Sequence, residues 1–107
     1  MLPKGVRRRY LALKLVSAHF VNQEDVMNAV WEAVMRLFGE YGASQADLTL
    51  IKRIPEGDYI VMRCSHSTLE MVKTSIASIT EIGGSPAVVH ILRVSGTLKA
   101  LLKKLQL

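Results

Sequence analysis

The sequence predicts an α+β domain in which one antiparallel sheet carries two helices. Three observations carry that prediction. Apolar residues alternate with period two over residues 8–16, 47–54, 59–65 and 87–95. They recur with helical period over 24–41 and 68–82. These six segments follow one another as β-α-β-β-α-β, and a short amphipathic stretch comes after them. At 107 residues the chain is one domain, long enough to hold a modest core without disulfides or metals.

Residues 8–16 form the first predicted strand. Leu11, Leu13 and Leu15 share one side; Tyr10, Ala12, Lys14 and Val16 share the other. Both sides are largely apolar, so both are expected to be covered. Residues 24–41 carry two stripes, Val26-Val30-Ala33-Leu37-Tyr41 and Met27-Trp31-Val34-Phe38. Such a helix buries one side on the sheet and offers the second to a neighbouring helix or a partner. Asn22 is placed to cap it, Glu24 and Asp25 suit the positive end of its dipole, and Gly42 is the expected stop. Residues 47–54 and 59–65 form a hairpin about Pro55-Glu56-Gly57-Asp58, which has strong turn chemistry. The second helix is expected over 68–82, with Ser67 and Glu70 as a capping box. Leu69, Val72, Ile76 and Ile79 form its stripe, and Gly83-Gly84-Ser85-Pro86 its end.

Residues 87–95 form the fourth strand. Gly96-Thr97 then opens a C-terminal amphipathic helix over 97–107, capped by Ser95 or Thr97. Its Leu98, Leu101, Leu102 and Leu105 share a face, and Lys99, Lys103 and Lys104 take the rest. The plan is the ferredoxin-like βαββαβ antiparallel sheet with an additional C-terminal helix, one domain over 1–107 with a basic arm at 1–7. That last Leu stripe is the expected cover for the second sheet face, with a protein partner as the alternative.

Charge is unevenly placed. Residues 1–23 hold five bases and no acid, residues 82–107 hold four bases and no acid, and the middle holds five bases against nine acids. The net charge of +5 therefore resides at the two ends. A basic bias of this kind points to nucleic acid or an anionic surface. The apolar run after the N-terminal arginines is broken by Lys14, too short for a secretory signal, and no window approaches a membrane span. A cytoplasmic setting is expected, and the single cysteine, Cys64, fits a reducing one.

The chemistry-bearing residues are few. His19, His66, His90 and Cys64 match no zinc spacing, and no carboxylate pair stands out. Gly39-Glu40-Tyr41-Gly42 has the glycine spacing of a KH loop but lies between a helix and a strand, where a helix end is the simpler reading. The aromatic platform of an RNA-recognition motif is largely missing, with Tyr10 and Tyr59 alone on the relevant strands. Stronger is the cluster Lys4, Arg7, Arg8 and Arg9, since guanidinium forks match phosphate geometry and keep their charge.

The series Arg9-Tyr10-Leu11, Gly39-Glu40-Tyr41-Gly42, Ile60-Val61-Met62-Arg63-Cys64, Val72…Ile76…Ile79 and Val94-Ser95-Gly96-Thr97-Leu98-Lys99 resembles one family along nearly the whole chain. That family is protein component 2 of ribonuclease P, the Pop-five subunit of eukaryotes. The resemblance implies a subunit of the ribonucleoprotein that removes the 5′ leader from precursor tRNA. The catalyst is then the RNA, with Mg²⁺ held on it. The protein binds no cofactor of its own, is not catalytic alone, and stabilises the active shape of the RNA. The implied protein partner is ribonuclease P protein component 3, in a heterodimer that doubles to a heterotetramer, with no membrane involved.

The resemblance carries an RNA-contact role to Arg7, Arg8, Arg9, Arg63 and Lys99. Ser95 and Thr97 join them as small polar residues where a strand meets a helix N-terminus, whose exposed N–H groups favour an anion; a simple N-cap is the alternative. Lys4, Lys103 and Lys104 join them on charge. Arg63 could instead pair with an acid on the sheet. Met27, Trp31, Val34 and Phe38 are the expected protein-partner surface; the alternative is packing beneath the C-terminal helix. A reading from a different class is a small-ligand or regulatory module that dimerises through its sheet, with a pocket near Gly83-Gly84.

Overall fold

The computed structural model describes residues 7–106. Lys4 and most of the basic arm lie outside them. The elements run β1 (Arg8–Ser17), α1 (Gln23–Ala46), β2 (Thr49–Ile54), β3 (Tyr59–Ser65), α2 (Leu69–Ala77), β4 (Glu81–Ile82), β5 (Ser85–Ser95) and α3 (Leu98–Lys104). The strands lie side by side as β2-β3-β1-β5-β4, every pairing antiparallel. The α+β βαββαβ plan with a final helix is therefore present, with one short edge strand added.

The alternation in β1 sorts its side chains as expected. Leu11 and Leu13 enter the main core with Val26, Val30 and Ala33 of α1, Ile60 and Met62 of β3, and Val72 and Ile76 of α2. Ala12 enters a second cluster on the other face, with Val61, Ile54 and Leu101. Leu98, Leu102 and Leu105 pack against that cluster, so α3 covers the second face of the sheet. Because α1 lies on the opposite face, α3 does not cover the second stripe of α1.

Asn22 caps α1 as its sequence position suggests: its Oδ1 accepts from the Asp25 N–H at 2.8 Å. The far end of α1 differs from expectation. The helix breaks at Gly39 (φ 77°, ψ −179°) and resumes to Ala46, where Asp47 in the left-handed region ends it. Gly42 is no stop; a Cβ there would sit 2.8 Å from the Phe38 Cβ and 3.2 Å from the Met71 sulfur, so its missing side chain admits α2. After the break Ala43 and Ala46 take the buried positions, and Leu37 and Tyr41 are exposed rather than part of the buried stripe.

Two further corrections concern α2. A 3₁₀ turn at His66–Thr68 precedes it, and no side chain caps it. The Ser65 hydroxyl instead donates to the Gln45 carbonyl at 2.8 Å, and Glu70 pairs with Lys73 at 3.4 Å. The helix ends at Ala77 rather than continuing to 82, because residues 81–82 form β4 and pair with Ser85-Pro86. Gly83 and Gly84 both have positive φ, the backbone of a two-residue hairpin turn.

In the β1–β5 pairing Ala12 faces Arg93 but Leu13 faces Ile91, so Leu92 is an extra, bulged residue. Among the described residues no helix is long and apolar enough to cross a membrane.

Candidate nucleic-acid interface

Antiparallel register brings distant parts of the chain to one end of the sheet. Tyr10 of β1 faces Arg63 of β3 on one side and Ser95 of β5 on the other. Thr49 of β2 faces Arg63 from the far side, so one row crosses four strands as Thr49, Arg63, Tyr10 and Ser95. Arg9 faces Cys64 and Arg8 faces Ser65 one and two steps further out. The start of β1, the end of β3 and the end of β5 thus form a single pole, where the Ser95-Gly96-Thr97 segment leads into α3.

Arg8 is half-buried, with Nε 3.7 Å from an Asp47 carboxylate oxygen, close enough to pair but too far for a hydrogen bond. Arg9 Nη1 donates to the Arg8 carbonyl at 3.0 Å. That same nitrogen lies 3.5 Å from where a Gly96 Cβ would be, which seats Arg9 against the strand-to-helix junction. Arg63 donates from Nη2 to Thr49 Oγ1 at 3.5 Å, the outer limit of contact. The Nε atoms of Arg8 and Arg63 are both buried without a hydrogen-bond partner. Arg7 is exposed, and its carbonyl accepts from the His66 N–H at 2.8 Å.

From the other side of the pole, Thr97 caps α3 by accepting from the Ala100 N–H at 3.1 Å, and Lys104 donates to the Val94 carbonyl at 3.1 Å. Lys99 and Lys103 are exposed on the helix. Ser95 is only 7% exposed; Gly96, Thr97 and Lys99 are the outward positions of the segment. Among the described residues the ion pairs are Arg8–Asp47, Arg53–Asp58 and Lys73–Glu70. Arg7, Arg9, Arg63, Lys99, Lys103 and Lys104 therefore have no carboxylate partner there, and the pole holds uncompensated positive charge. Arg63 does not pair with an acid on the sheet.

Cys64 sits at this pole but inside it, fully buried. Burial pushes its thiol up to about 11, against a smaller opposing pull from Arg9. It is a neutral packing group. Among the described residues no three His, Cys, Asp or Glu side chains gather as a metal site.

The second stripe of α1 divides. Val34 is wholly buried and Met27 is half-buried against the main core, while Trp31 and Phe38 are 43% and 42% exposed. Val34 cannot belong to an outward surface because it is wholly buried, whereas Leu37 and Tyr41, read from sequence as buried, are exposed. Sequence reasoning also missed Phe20, which is 81% exposed just after β1, and the exposed cross-strand pair Val16 and Val88.

The Rpp14/Pop5 family model matches residues 9–106. The chain is 33% identical over 105 residues to ribonuclease P protein component 2 of Pyrococcus furiosus, covering 96% of this chain and 88% of that protein. It is 31% identical over 98 residues to the protein of the same name from Methanosarcina mazei, covering 92% and 83%. A chain in the cryo-EM structure of yeast ribonuclease MRP superposes with a TM-score of 0.71 at 19% identity, covering 98% of this chain and 92% of that one, and so shares its fold. The matched span contains both the row across the sheet and the strand-to-helix junction of the pole, and on that span the chain belongs to the Rpp14/Pop5 family.

Proposed function

We propose that this chain, a ribonuclease P/MRP protein subunit by family, grips the RNA of that ribonucleoprotein with the pole of its sheet. The observation that carries the reading is the convergence of Arg8, Arg9 and Arg63 with the Ser95-Gly96-Thr97 junction at one end of the sheet, where Arg8 has Asp47 beside it and Arg9 and Arg63 have no acid. Phosphates are the matching chemistry: guanidinium forks hold them in defined geometry, and the lysines of α3 add charge without fixing direction. Arg7, Lys99, Lys103 and Lys104 extend the surface; Lys4 belongs to the arm outside the described residues. In this reading the protein shapes the RNA, and Mg²⁺ bound to the RNA carries the cleavage that matures the 5′ end of precursor tRNA.

The protein partner in this reading is ribonuclease P protein component 3, seated on Trp31 and Phe38 of α1, with the heterodimer doubling to a heterotetramer. Trp31, Leu37 and Phe38 before the break at Gly39 and Tyr41 after it are exposed apolar side chains that support such a contact. A cytoplasmic setting is part of the same proposal. The alternative of a small-ligand module is not favoured by the family, and the groove beside Gly83-Gly84 is lined by Asp25, Glu32 and Glu81. Reconstitution tests the proposal. RNA and partner proteins with the chain should cleave precursor tRNA faster than without it; an unchanged rate on omission would end the reading.

A further inference from the structure

We infer that Phe20 is a stacking platform for one unpaired nucleobase, at the opposite end of the sheet from the basic pole. The inference rests on the RNA-binding reading and adds a second, chemically different contact to it. Arg8 and Ser17 bound β1, so the two sites are separated by about 30 Å of strand.

Phe20 is the most exposed large apolar side chain of the described residues, at 81%. It does not pack into the core; it lies on the Arg53 guanidinium, whose carbon is 4.8 Å from the ring centroid. Arg53 is itself held, donating to Asp58 Oδ1 at 2.8 Å and to the Val21 carbonyl at 2.9 Å. The ring thus has a fixed cationic floor and a free upper side. A preorganised ring of this kind takes a flat partner at small entropic cost.

The surroundings select the partner. A cavity of about 250 Å³ lies beside the ring, lined by residues that include Ser17, His19, Arg53 and Asp58. It is smaller than the 300–1,000 Å³ range of drug-sized sites, which suits one ring rather than a larger ligand. Asp58 lines it, and its carboxylate, although paired to Arg53, keeps lone pairs that can accept from base N–H donors. An aliphatic side chain of a protein would make no use of the polar wall. An unstacked base satisfies both halves, with its face on Phe20 and its edge toward the polar wall.

The test uses the full chain with a short single-stranded oligouridylate and an abasic oligomer of equal length and charge. The base-bearing oligomer should bind about tenfold tighter. Phe20→Ala should erase that preference and Phe20→Trp should keep it, with the salt dependence of binding unchanged. Phe20→Ala alters an exposed side chain and should leave the melting temperature near the native one. Equal binding of the two oligomers by the native chain would overturn the inference, as would a preference that survives Phe20→Ala. So would a loss confined to capture of a protein subunit. If the native chain binds neither oligomer nor the full RNA at low salt, the RNA-binding reading falls as well. If it binds the full RNA and ignores Phe20→Ala, the stacking site alone falls.

Discussion

Arg63 of β3 stands directly across from Tyr10 of β1, and its buried Nε has no acceptor. An orphaned donor of this kind costs stability, so the fold by itself gives no reason for an arginine here. Arg63→Met, similar in length and free of polar atoms, should leave stability unchanged or raise it by up to about 1 kcal/mol. The same change should weaken RNA binding about tenfold. Thermal melting and a binding titration on one sample check both halves; a destabilised variant with native affinity would show that Arg63 is structural.

The pole should announce itself in salt dependence. Replacing Arg7, Arg8 and Arg9 together by Ala should make the plot of log affinity against log salt shallower by about 2 to 3 units, if each contacts a phosphate. Titrations between low and moderate salt measure the slope. An unchanged slope with a uniform drop in affinity would point to lost structure instead.

Helix α3 is pinned to the sheet by Leu101, which has no exposed surface and packs with Ala12, Ile54 and Val61. Leu101→Ala should cost roughly 2–5 kcal/mol, read from the urea midpoint. RNA affinity should fall with it, since Lys99, Lys103 and Lys104 are placed by that contact. A mild stability change would mean that α3 is held by its neighbours Leu98 and Leu105.

Cys64 should resist alkylation at pH 8 in the folded chain, because burial keeps its thiol protonated up to about 11. The folded state then holds a proton that the unfolded state releases above the ordinary value of 9.0. Stability from this group is therefore full below pH 9 and declines between about 9 and 11. Mass spectrometry after iodoacetamide, with and without urea, reads the first effect; rapid labelling without urea would contradict it.

The period-two and period-3.6 patterns located β1, β2, β3, β5 and the start of α1 because each of these buries a side that its neighbours cannot share. Residues 78–82 read as a continuation of helix α2 for a physical reason. Ile76, Ile79 and Ile82 are spaced three apart, so a strand residue falls in step with the preceding helix. The glycine pair after Ile82 was the available signal, since two adjacent glycines between apolar residues form a hairpin turn as readily as a helix end. The break at Gly39 left no trace in the apolar spacing. The pole was out of reach from sequence, because it exists only through register: nothing local to Arg63 says that Thr49, Tyr10 and Ser95 share its row.

The bulge at Leu92 has a consequence for how β5 tolerates insertions and deletions. Ala87, Val89 and Ile91 face the main core at odd positions, yet Val94 faces it at an even one. Leu92 is what reconciles the two parities. Loss of any residue between 87 and 91 would turn every later side chain of the strand to the wrong side. Loss of Leu92 would not, since Ile91, Arg93 and Val94 would then alternate without a break. What that deletion would remove is the bend by which β5 delivers Ser95, Gly96 and Thr97 to the pole. In this one strand, keeping the core and aiming the chain's end are written at separate positions, and a single missing codon would tell them apart.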